Sequence, residues 1–429
     1  MIQNFTHAES VNGVLELPGD KSISHRSVMF SAMAEGTSSI RHLSSAEDVM
    51  STISCFRSLG TCIDIKGDDL IIKGSGFRGF RAPAGPVYCG NSGTTARLIS
   101  GILCAQDFSV TLTGDASLSK RPMKRVAAPL SEMGAVLKPA EMGTLPMLIE
   151  PAGRLRAVDY SMQVGSAQIK SALIFAAMHI DDQTRIYEKL CTRDHSERML
   201  GLDVRSSENG NVISVSRKNY PMPQDYFIPA DISTAAFFIV LALLVPGSEL
   251  LIKNVSLNPT RTGILKVLES MGADISILDE KVSCNEPYGD VLVRSGNLKN
   301  TSIPQSIIPN IIDEIPVLSV AGLFAQGEFT ISGAEELRVK ESDRIAALCH
   351  NYRLLGLDVE ERPDGFSIGG EIKNREVVFD SFDDHRIAMA FAILSMISKD
   401  GGSVRDFECV AISNPQFMPQ ADSITGMHR

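Results

Sequence analysis

The sequence lacks the cysteine pattern of a disulfide-stabilised or zinc-binding protein. Its eight cysteines include no Cys-x-x-Cys pair and show no framework spacing. A chain of 429 residues also does not need disulfides to hold its fold. We therefore expect reduced thiols and a cytoplasmic location.

Signals for secretion or membrane insertion are scarce as well. Residues 1–7 contain neither a basic region nor an apolar run, so we expect no signal peptide. The strongest apolar run, residues 235–245, is shorter than the roughly 20 residues of a membrane-spanning helix, and Pro246 and Gly247 follow it. This run predicts a buried helix in a globular protein without a membrane partner.

Positive charge is not in excess. The chain has 41 Lys and Arg against 51 Asp and Glu, and it contains no long basic stripe. A net charge of −10 argues against a nucleic-acid partner. With 44% hydrophobic residues, the composition is that of a well-packed globular protein, and the length implies two or more domains.

The sequence does contain a repeated helix-end signature. Glycine closes each copy, and a β-like stretch follows within a few residues. The five copies end at Gly60, Gly134, Gly201, Gly272 and Gly356. Glycine suits this position because it tolerates the positive φ that follows a helix C-terminus.

A second series marks the starts of small, apolar helices. Its six members begin at Lys21, Asn91, Gly165, Asp231, Asp313 and Asp384. The helix bodies, such as residues 171–177 and 388–394, have no polar face and are therefore predicted to be buried. Six starts predict six units of about 70 residues, each with strands, a buried helix and a second, amphipathic helix. Turn-rich stretches at 66–69, 208–211 and 362–365 predict hairpins.

Polar and charged residues gather at these starts, where unpaired N–H groups and the helix dipole favour anions. The candidates are Lys21, Ser22, Arg26, Asn91, Gly93, Thr94, Arg97, Ser166, Gln168, Lys170, Asp313, Glu314, Asp384, His385 and Arg386, with residues 120–122, 193–197, 260–261 and 340–344 at second-helix starts. Gly93 has no Cβ and so lets backbone N–H groups approach a small ligand. If the helix bodies pack together, their starts converge and form an anion trap.

Residues 339–344 combine two cations with two carboxylates at the predicted first turn of a helix, with Ser342 as its N-cap. Lys340 and Arg344 would hold an anionic substrate while Glu341 passes a proton. For one such segment alone, an ordinary ion-paired helix start is the alternative. The repetition of the pattern along the chain favours the anion site.

These motifs resemble those of the 3-phosphoshikimate 1-carboxyvinyltransferase (5-enolpyruvylshikimate-3-phosphate synthase) family from end to end. The matching segments are residues 17–26, 90–94, 121–123, 166–170, 313–316, 336–344 and 384–386; residues 19–21, 166–170, 193–197 and 258–261 are similar to the class II branch. The resemblance implies a two-domain inside-out α/β fold of six repeated βαβαββ units, three per domain. The middle domain would span 21–230 and the discontinuous one 1–20 with 231–429, with hinges near 20–21 and 230–231.

The reaction implied by the resemblance moves the enolpyruvyl group of phosphoenolpyruvate onto the 5-hydroxyl of shikimate 3-phosphate and releases phosphate, in the shikimate pathway to aromatic amino acids. It implies no metal and no organic cofactor, and we expect a monomer. An alternative within the same fold is a UDP-N-acetylglucosamine enolpyruvyl transferase, but residues 115–122 lack the cysteine usual in that mobile loop. A non-catalytic anion-binding or RNA-end-binding repeat protein would need no Glu341 and would predict a basic surface.

Site residues are carried over by the same resemblance. The shikimate 3-phosphate set is Lys21, Ser22, Arg26, Ser166, Ala167, Gln168, Arg193, Asp313 and Lys340; the phosphoenolpyruvate set is Lys21, Gly93, Arg121, Gln168, Arg344 and Arg386. Asp313 is expected to accept the hydroxyl proton and Glu341 to protonate the methylene carbon, with Lys21 as a third catalytic residue. Further candidates are Asn91, Thr94, Asp384 and His385. Residues 412–415 depart from the family, because they lack a lysine that many class I members carry there.

Overall fold

The computed structural model describes residues 1–67 and 69–426; Asp68 and residues 427–429 lie outside this description. It contains two compact units. The terminal unit comprises residues 1–18, 229–281 and 287–429, and the middle unit comprises residues 19–228 and 282–286. Each unit has its own hydrophobic core.

The helices are distributed over both units. They are α1 (Lys21–Met33), α2 (Glu47–Ser58), α3 (Gly93–Leu103), α4 (Lys124–Glu132), α5 (Ala167–Ala177), α6 (His195–Leu200), α7 (Ile232–Leu244), α8 (Gly263–Ser270), α9 (Ile308–Ile311), α10 (Ile315–Phe324), α11 (Arg344–Leu354), α12 (His385–Ile397) and α13 (Phe417–Thr425). Short 3-10 segments lie at Leu118–Lys120, Arg217–Asn219, Gln305–Ile307, Glu335–Val339 and Phe407–Ile412.

The strands are short and lie between these helices. They are β1 (Ile2–Phe5), β2 (Asn12–Leu15), β3 (Thr37–Arg41), β4 (Cys62–Lys66), β5 (Asp69–Lys73), β6 (Val87–Tyr88), β7 (Val110–Thr113), β8 (Val136–Pro139), β9 (Met147–Glu150), β10 (Asp159–Ser161), β11 (Thr184–Glu188), β12 (Asp203–Ser207), β13 (Gly210–Val215), β14 (Asp225–Phe227), β15 (Glu249–Ser256), β16 (Asp274–Ser283), β17 (Glu286–Arg294), β18 (Phe329–Ile331), β19 (Asp358–Arg362), β20 (Gly365–Gly369), β21 (Val378–Asp380) and β22 (Gly402–Arg405).

In the described part of the chain these strands form six small sheets, which matches the six predicted units. The orders are β14-β3-β5-β4, β6-β7-β9-β8 and β10-β11-β13-β12, then β16-β17-β15-β2, β18-β20-β19 and β1-β22-β21. The first three share one pattern, in which a parallel pair is followed by two antiparallel pairs. The last two sheets have three strands instead of four. Gln326, a few residues before β18, forms an isolated bridge with Lys299.

The six predicted helix starts are confirmed by α1, α3, α5, α7, α10 and α12, whose bodies are almost entirely buried. Apolar helices therefore lie inside and sheets outside, which confirms the inside-out α/β fold class. Gly101 shows how closely α3 and α5 pack, because a Cβ there would lie 2.1 Å from the carbonyl oxygen of Ala172. The close packing brings the starts of these two helices together.

The helix-end glycines also behave as predicted. All five have positive φ, between 59° at Gly201 and 93° at Gly272. The predicted hairpins at 208–211 and 362–365 join paired strands. At the third turn, Lys66 pairs with Asp69, while Asp68 is outside the described residues.

Among the described residues, no single helix combines the length and apolar character needed to cross a membrane. Only one bent pair, Gln305–Ile311 with Ile315–Phe324, passes that test, by length and composition alone.

Candidate active site

The start of α1 places Lys21 and Arg26 in the middle unit. Asp20 caps this helix by accepting a hydrogen bond from the backbone N–H of Ile23 over 2.9 Å. Nζ of Lys21 lies 3.3 Å from Oδ2 of Asp48, in the first turn of α2. Because the side chain of Lys21 is 22% exposed, its ammonium stays within reach of a ligand.

Arg26 lies one turn further into the same helix and is buried. Its Nε donates to Oγ of Ser196 over 2.8 Å and its Nη2 to Oγ of Ser171 over 2.7 Å. Burial lowers the pKa of Arg26 to about 10, while the nearby carboxylate of Glu197 acts in the opposite direction and the charge of Arg193 adds to the lowering. Arg26 and Arg193 are therefore close enough for their charges to interact.

The starts of α3 and α5 meet through side chains. Oε1 of Gln168 accepts a hydrogen bond from Nη1 of Arg97 over 2.6 Å, and its Nε2 donates to Oγ1 of Thr94 over 3.0 Å. Ser166 caps α5 by accepting from the N–H of Ile169. Four of the predicted site residues, Thr94, Arg97, Ser166 and Gln168, are thus brought to one place.

Gly93 begins α3 directly beside two guanidinium groups. A Cβ on Gly93 would lie 3.2 Å from Nη1 of Arg97 and 3.5 Å from Nη1 of Arg121. The two cations face a helix start that has no side chain in the way. Such a surface is suited to a small anion that accepts hydrogen bonds from both arginines and from the backbone.

A short network fixes the loop that carries Arg121. Its Nη2 donates to Oδ1 of Asn91 over 2.7 Å, and Nδ2 of Asn91 donates to Oδ2 of Asp115 over 2.6 Å. The other oxygen of Asp115 accepts from the N–H of Leu118 over 2.7 Å. Asn91 therefore positions Arg121 and is itself positioned by Asp115.

Lys170 does not belong to the anion trap, so that prediction is wrong. Its side chain is fully buried, with Nζ 2.9 Å from Oε1 of Glu188 and 2.7 Å from Oε1 of Glu197. Burial alone would lower the pKa of Lys170, but the charges of the two carboxylates outweigh it and hold the pKa above its ordinary value. A lysine held in this way cannot reach a substrate.

In the terminal unit, Arg344 is the centre of a buried ion-pair cluster. Its Nε lies 2.8 Å from Oδ2 of Asp384, its Nη1 3.1 Å from Oδ1 of Asp313 and its Nη2 2.6 Å from Oε2 of Glu341. These carboxylates hold the pKa of Arg344 far above its ordinary value despite burial. Burial raises the pKa of Asp384, but Arg344 more than reverses this and keeps it below its ordinary range.

Asp313 receives two further cations. Its Oδ1 lies 3.6 Å from Nζ of Lys340 and 3.8 Å from Nε of Arg386, and its backbone carbonyl accepts from Nη1 of Arg386 over 3.0 Å. Its side chain is only 12% exposed, whereas that of Glu341 is 30% exposed. The two carboxylates share a guanidinium but differ in access to solvent.

The segment around Glu341 differs from the predicted helix turn. Residues 340–343 are not helical, and α11 begins at Arg344. The N-cap is Asp343, which accepts from the N–H of Ala346 over 3.0 Å, and not Ser342. Ser342 donates instead to Oδ2 of Asp384 over 3.1 Å, because that buried carboxylate at the start of α12 lies next to it.

His385 is the first residue of α12 and is buried. Its charge interaction with Asp384 lowers the pKa of that carboxyl. Asp384 caps α12, and its Oδ1 accepts a hydrogen bond from the backbone N–H of Arg386 over 2.9 Å. Asp384 thus orients the helix start that presents Arg386.

Two acidic residues of these clusters, Asp48 and Asp115, were not found from the sequence. Asp48 reads as an ordinary acidic first-turn residue of a helix, and Asp115 as a loop residue before a turn. Neither signal distinguishes them from surface carboxylates. Within residues 1–67 and 69–426, no group of three or more His, Cys, Asp or Glu side chains could hold a metal ion.

The fold is that of an enolpyruvyl transferase. The enolpyruvyl transferase NikO from Streptomyces tendae superposes with a TM-score of 0.75, covering 99% of this chain and 97% of that one. Its sequence is only 13% identical, so this match concerns the fold alone.

Sequence comparison gives the family. The EPSP synthase (3-phosphoshikimate 1-carboxyvinyltransferase) family model matches residues 5–420. A 3-phosphoshikimate 1-carboxyvinyltransferase from Endomicrobium trichonymphae is 45% identical over 419 residues, covering 96% of this chain and 97% of the relative. The structure of EPSP synthase from Acinetobacter baumannii is 38% identical, with a TM-score of 0.88 over 99% of this chain and 98% of that one. This chain belongs to the EPSP synthase family.

The predicted activity is thereby confirmed at the level of the family. The chain is an enzyme of the shikimate pathway that transfers the enolpyruvyl group of phosphoenolpyruvate to shikimate 3-phosphate. The alternative acceptor, UDP-N-acetylglucosamine, belongs to more distant relatives.

Proposed function

We propose that the clusters of the two units bind the substrates of this transfer and move its protons. In the middle unit, shikimate 3-phosphate binds to the cations Lys21, Arg26 and Arg193. The same unit contributes Ser22, Ser166, Ala167 and Gln168. Lys340 and Asp313 complete this set. Arginine side chains suit the task because their planar fork matches phosphate and carboxylate oxygens.

Phosphoenolpyruvate is assigned to Lys21, Gly93, Arg121, Gln168, Arg344 and Arg386. The support lies in the local geometry of each cluster. Gly93 leaves free the space beside Nη1 of Arg97 and Nη1 of Arg121. We add Arg97 to this set, because its guanidinium donates a hydrogen bond to the side chain of Gln168.

The proton transfers are assigned to Asp313 and Glu341, and one observation carries this proposal: both carboxylates are held by the guanidinium of Arg344. Glu341 gives a proton to the methylene carbon of phosphoenolpyruvate, which leaves C2 cationic. The 5-hydroxyl of shikimate 3-phosphate attacks C2 and passes its proton to Asp313. The tetrahedral intermediate then loses phosphate and returns a proton from the new methyl group to the carboxylate of Glu341, which forms the enol ether of the product.

Repulsion between the two phosphorylated substrates explains why cations are concentrated at these helix starts in a protein of net charge −10. Lys21, whose side chain is 22% exposed beside Asp48, is assigned to both substrates for this reason. The positive charges at these helix starts offset the negative charge that develops on the phosphate as it leaves.

The wider assignments rest on composition and on family membership. We propose a cytoplasmic, monomeric enzyme that binds neither nucleic acid nor membranes and uses no cofactor. We also propose a middle domain of residues 21–230 and a second domain of 1–20 with 231–429, with hinges near 20–21 and 230–231. The compact units change at 18–19 and 228–229, which supports hinges at these places.

A single-turnover assay tests the proton transfers. We expect Glu341→Gln and Asp313→Asn to slow phosphate release by about 100-fold or more, as for the loss of a general acid or base. Glu335→Gln is the control, because Glu335 is an exposed residue of the same unit. Near-normal turnover by either variant would remove that residue from its role.

A second arm tests the acceptor. Phosphate release from phosphoenolpyruvate is measured with shikimate 3-phosphate and, separately, with UDP-N-acetylglucosamine. Release with the second acceptor alone would contradict the proposed substrate assignments.

A further inference from the structure

The middle unit contains a buried cluster of charged side chains, Lys170 with Glu188 and Glu197, that the proposed mechanism does not use. Nζ of Lys170 lies 2.9 Å and 3.0 Å from the two carboxylate oxygens of Glu188 and 2.7 Å from Oε1 of Glu197. All three side chains are at most 4% exposed. Such an arrangement is costly to bury, because each charge loses its hydration.

The cluster ties together three segments, two of which carry proposed ligands of shikimate 3-phosphate. Lys170 lies in the first turn of α5, two residues after Gln168. Oε1 of Glu188 accepts hydrogen bonds from both the N–H and the hydroxyl of Thr192, the residue before Arg193. Glu197 lies in α6 beside Ser196.

A second layer of hydrogen bonds connects this cluster to Arg26. Oγ of Ser171, next to Lys170, lies 2.8 Å from Oγ of Ser196, and both hydroxyl oxygens accept from the guanidinium of Arg26. A shift of Ser196 would therefore move the donors of Arg26.

Charge balance links the two layers as well. Lys170 and Arg26 carry two positive charges, and Glu188 and Glu197 two negative charges. The carboxylate of Glu197 raises the pKa of Arg26 against the effect of burial. Without Lys170, the carboxylates of Glu188 and Glu197 would be buried without their common cation, and their mutual repulsion would push the segments apart.

We propose that Lys170 is a positioning residue for shikimate 3-phosphate: by holding Glu188 and Glu197, it sets the places of Arg193, Ser196 and Arg26. It does not touch substrate itself. This inference rests on the proposed function, since it takes these residues as ligands of the phosphorylated acceptor. The effect of Lys170 should fall mainly on shikimate 3-phosphate, because Arg26 and Arg193 belong to that set alone, whereas Arg121 beside Gly93 is held by a different network through Asn91 and Asp115.

The test compares Lys170→Met with the wild-type chain by steady-state phosphate release and by calorimetric binding of shikimate 3-phosphate alone. We expect KM and Kd for shikimate 3-phosphate to rise about tenfold or more, since a displacement of about 1 Å in a binding group can cost 100-fold. KM for phosphoenolpyruvate should change by less than about threefold. A merely structural lysine would move both KM values together or neither, and either result would overturn the proposal.

Lys138→Met is the matched control, because it removes an ion pair with Glu150 in the same unit, where the lysine is 59% exposed. If Lys170→Met does not fold, Glu188→Gln decides. That change removes the ion pair between Lys170 and Glu188 and keeps a side-chain oxygen that can accept from Thr192. A rise of about threefold in Kd for shikimate 3-phosphate would support the proposal, and an unchanged Kd would overturn it.

The two arms also separate this inference from the proposed function. The wild type could bind shikimate 3-phosphate but release no phosphate. If Lys170→Met then weakened that binding, the result would support the positioning role and contradict the proposed transfer. Normal turnover in the wild type, with unchanged constants in Lys170→Met, would contradict only the positioning role.

Discussion

The guanidinium of Arg344 donates a hydrogen bond to Oδ1 of Asp313 over 3.1 Å. The same group binds Glu341, so the proposed proton acceptor and proton donor have one common partner. Arg344 is buried and is also paired with Asp384, which prevents it from leaving this position at low cost. Its proposed contact with phosphoenolpyruvate would therefore be made by a guanidinium that is already fixed.

Replacing Arg344 by lysine is expected to reduce kcat about 100-fold or more. The positive charge stays, but an ammonium cannot hold three carboxylates in the planar geometry of a guanidinium. Single-turnover phosphate release is the measurement. Arg353→Lys is the control in the same helix, because Arg353 is 49% exposed and pairs only on the surface with Glu361. Activity of Arg344→Lys above half of the control value would show that the shared guanidinium is not required.

Gly93→Ala is expected to raise KM for phosphoenolpyruvate about tenfold. The added methyl would lie 3.2 Å from Nη1 of Arg97 and 3.5 Å from Nη1 of Arg121, which is where an anion would accept hydrogen bonds. KM for shikimate 3-phosphate should change little. Gly85→Ala serves as the control, because a Cβ at Gly85 meets no atom within 4 Å. Equal increases in both KM values would argue against a phosphoenolpyruvate site beside Gly93.

Asp115→Asn is expected to weaken phosphoenolpyruvate binding without loss of folding. The carboxylate of Asp115 accepts from Asn91 and Leu118, and a hydrogen bond to a charged group contributes about 1.5–3 kcal/mol. With a neutral acceptor, Asn91 holds Arg121 less firmly, so KM for phosphoenolpyruvate should rise about fivefold to tenfold. Asp107→Asn, at an exposed loop position of the same unit, is the control. An unchanged KM would mean that Asn91 positions Arg121 unaided.

Stability of the middle unit is expected to fall with acid through His179. Burial lowers the pKa of His179 to about 4, and the charges of Arg78 and Arg217 add to the lowering, while the hydrogen bond from Nδ1 to the carbonyl of Phe175 acts in the opposite direction. Below the unfolded pKa of about 6.5, the unfolded chain takes up a proton that the folded chain does not. The contribution of His179 to the free energy of unfolding is therefore complete above about pH 6.5. Roughly 3 kcal/mol of that free energy is lost as the pH falls to about 4.

Denaturant unfolding of wild type and His179→Gln between about pH 7 and about pH 4.5 measures this effect. His25 shifts in the same direction, because it is also buried, so the difference between the two chains isolates His179. Parallel curves would show that His179 does not contribute to the acid sensitivity.

Comparison of Lys170 with Arg26 shows where sequence reasoning stopped. Both are cations near the starts of apolar helices, and both were placed in one anion trap. Only packing revealed that Lys170 faces Glu188 and Glu197, eighteen and twenty-seven residues away along the chain. Residue type and spacing carry no information on which distant carboxylate a buried cation meets.

The segment at 340–344 shows a second limit. Its residue types predicted an ion-paired anion site, but the cap was assigned to Ser342 when Asp343 makes the bond. Both side chains are good caps. The choice between them depends on the neighbouring carboxylate of Asp384, which engages the hydroxyl of Ser342.

The sequence by itself determined the repeat, the places where the apolar helices begin and the places where the amphipathic helices end, because these follow from local periodicity and from the backbone freedom of glycine. It also carried the family motifs. The fold class came from the family resemblance. Only the tertiary structure decided which charges face each other: Arg344 with Asp313 and Glu341, Lys170 with Glu188 and Glu197, and Asp115 with Asn91. Such pairings join segments distant in sequence, and their energies depend on burial and distance, which a linear pattern does not contain.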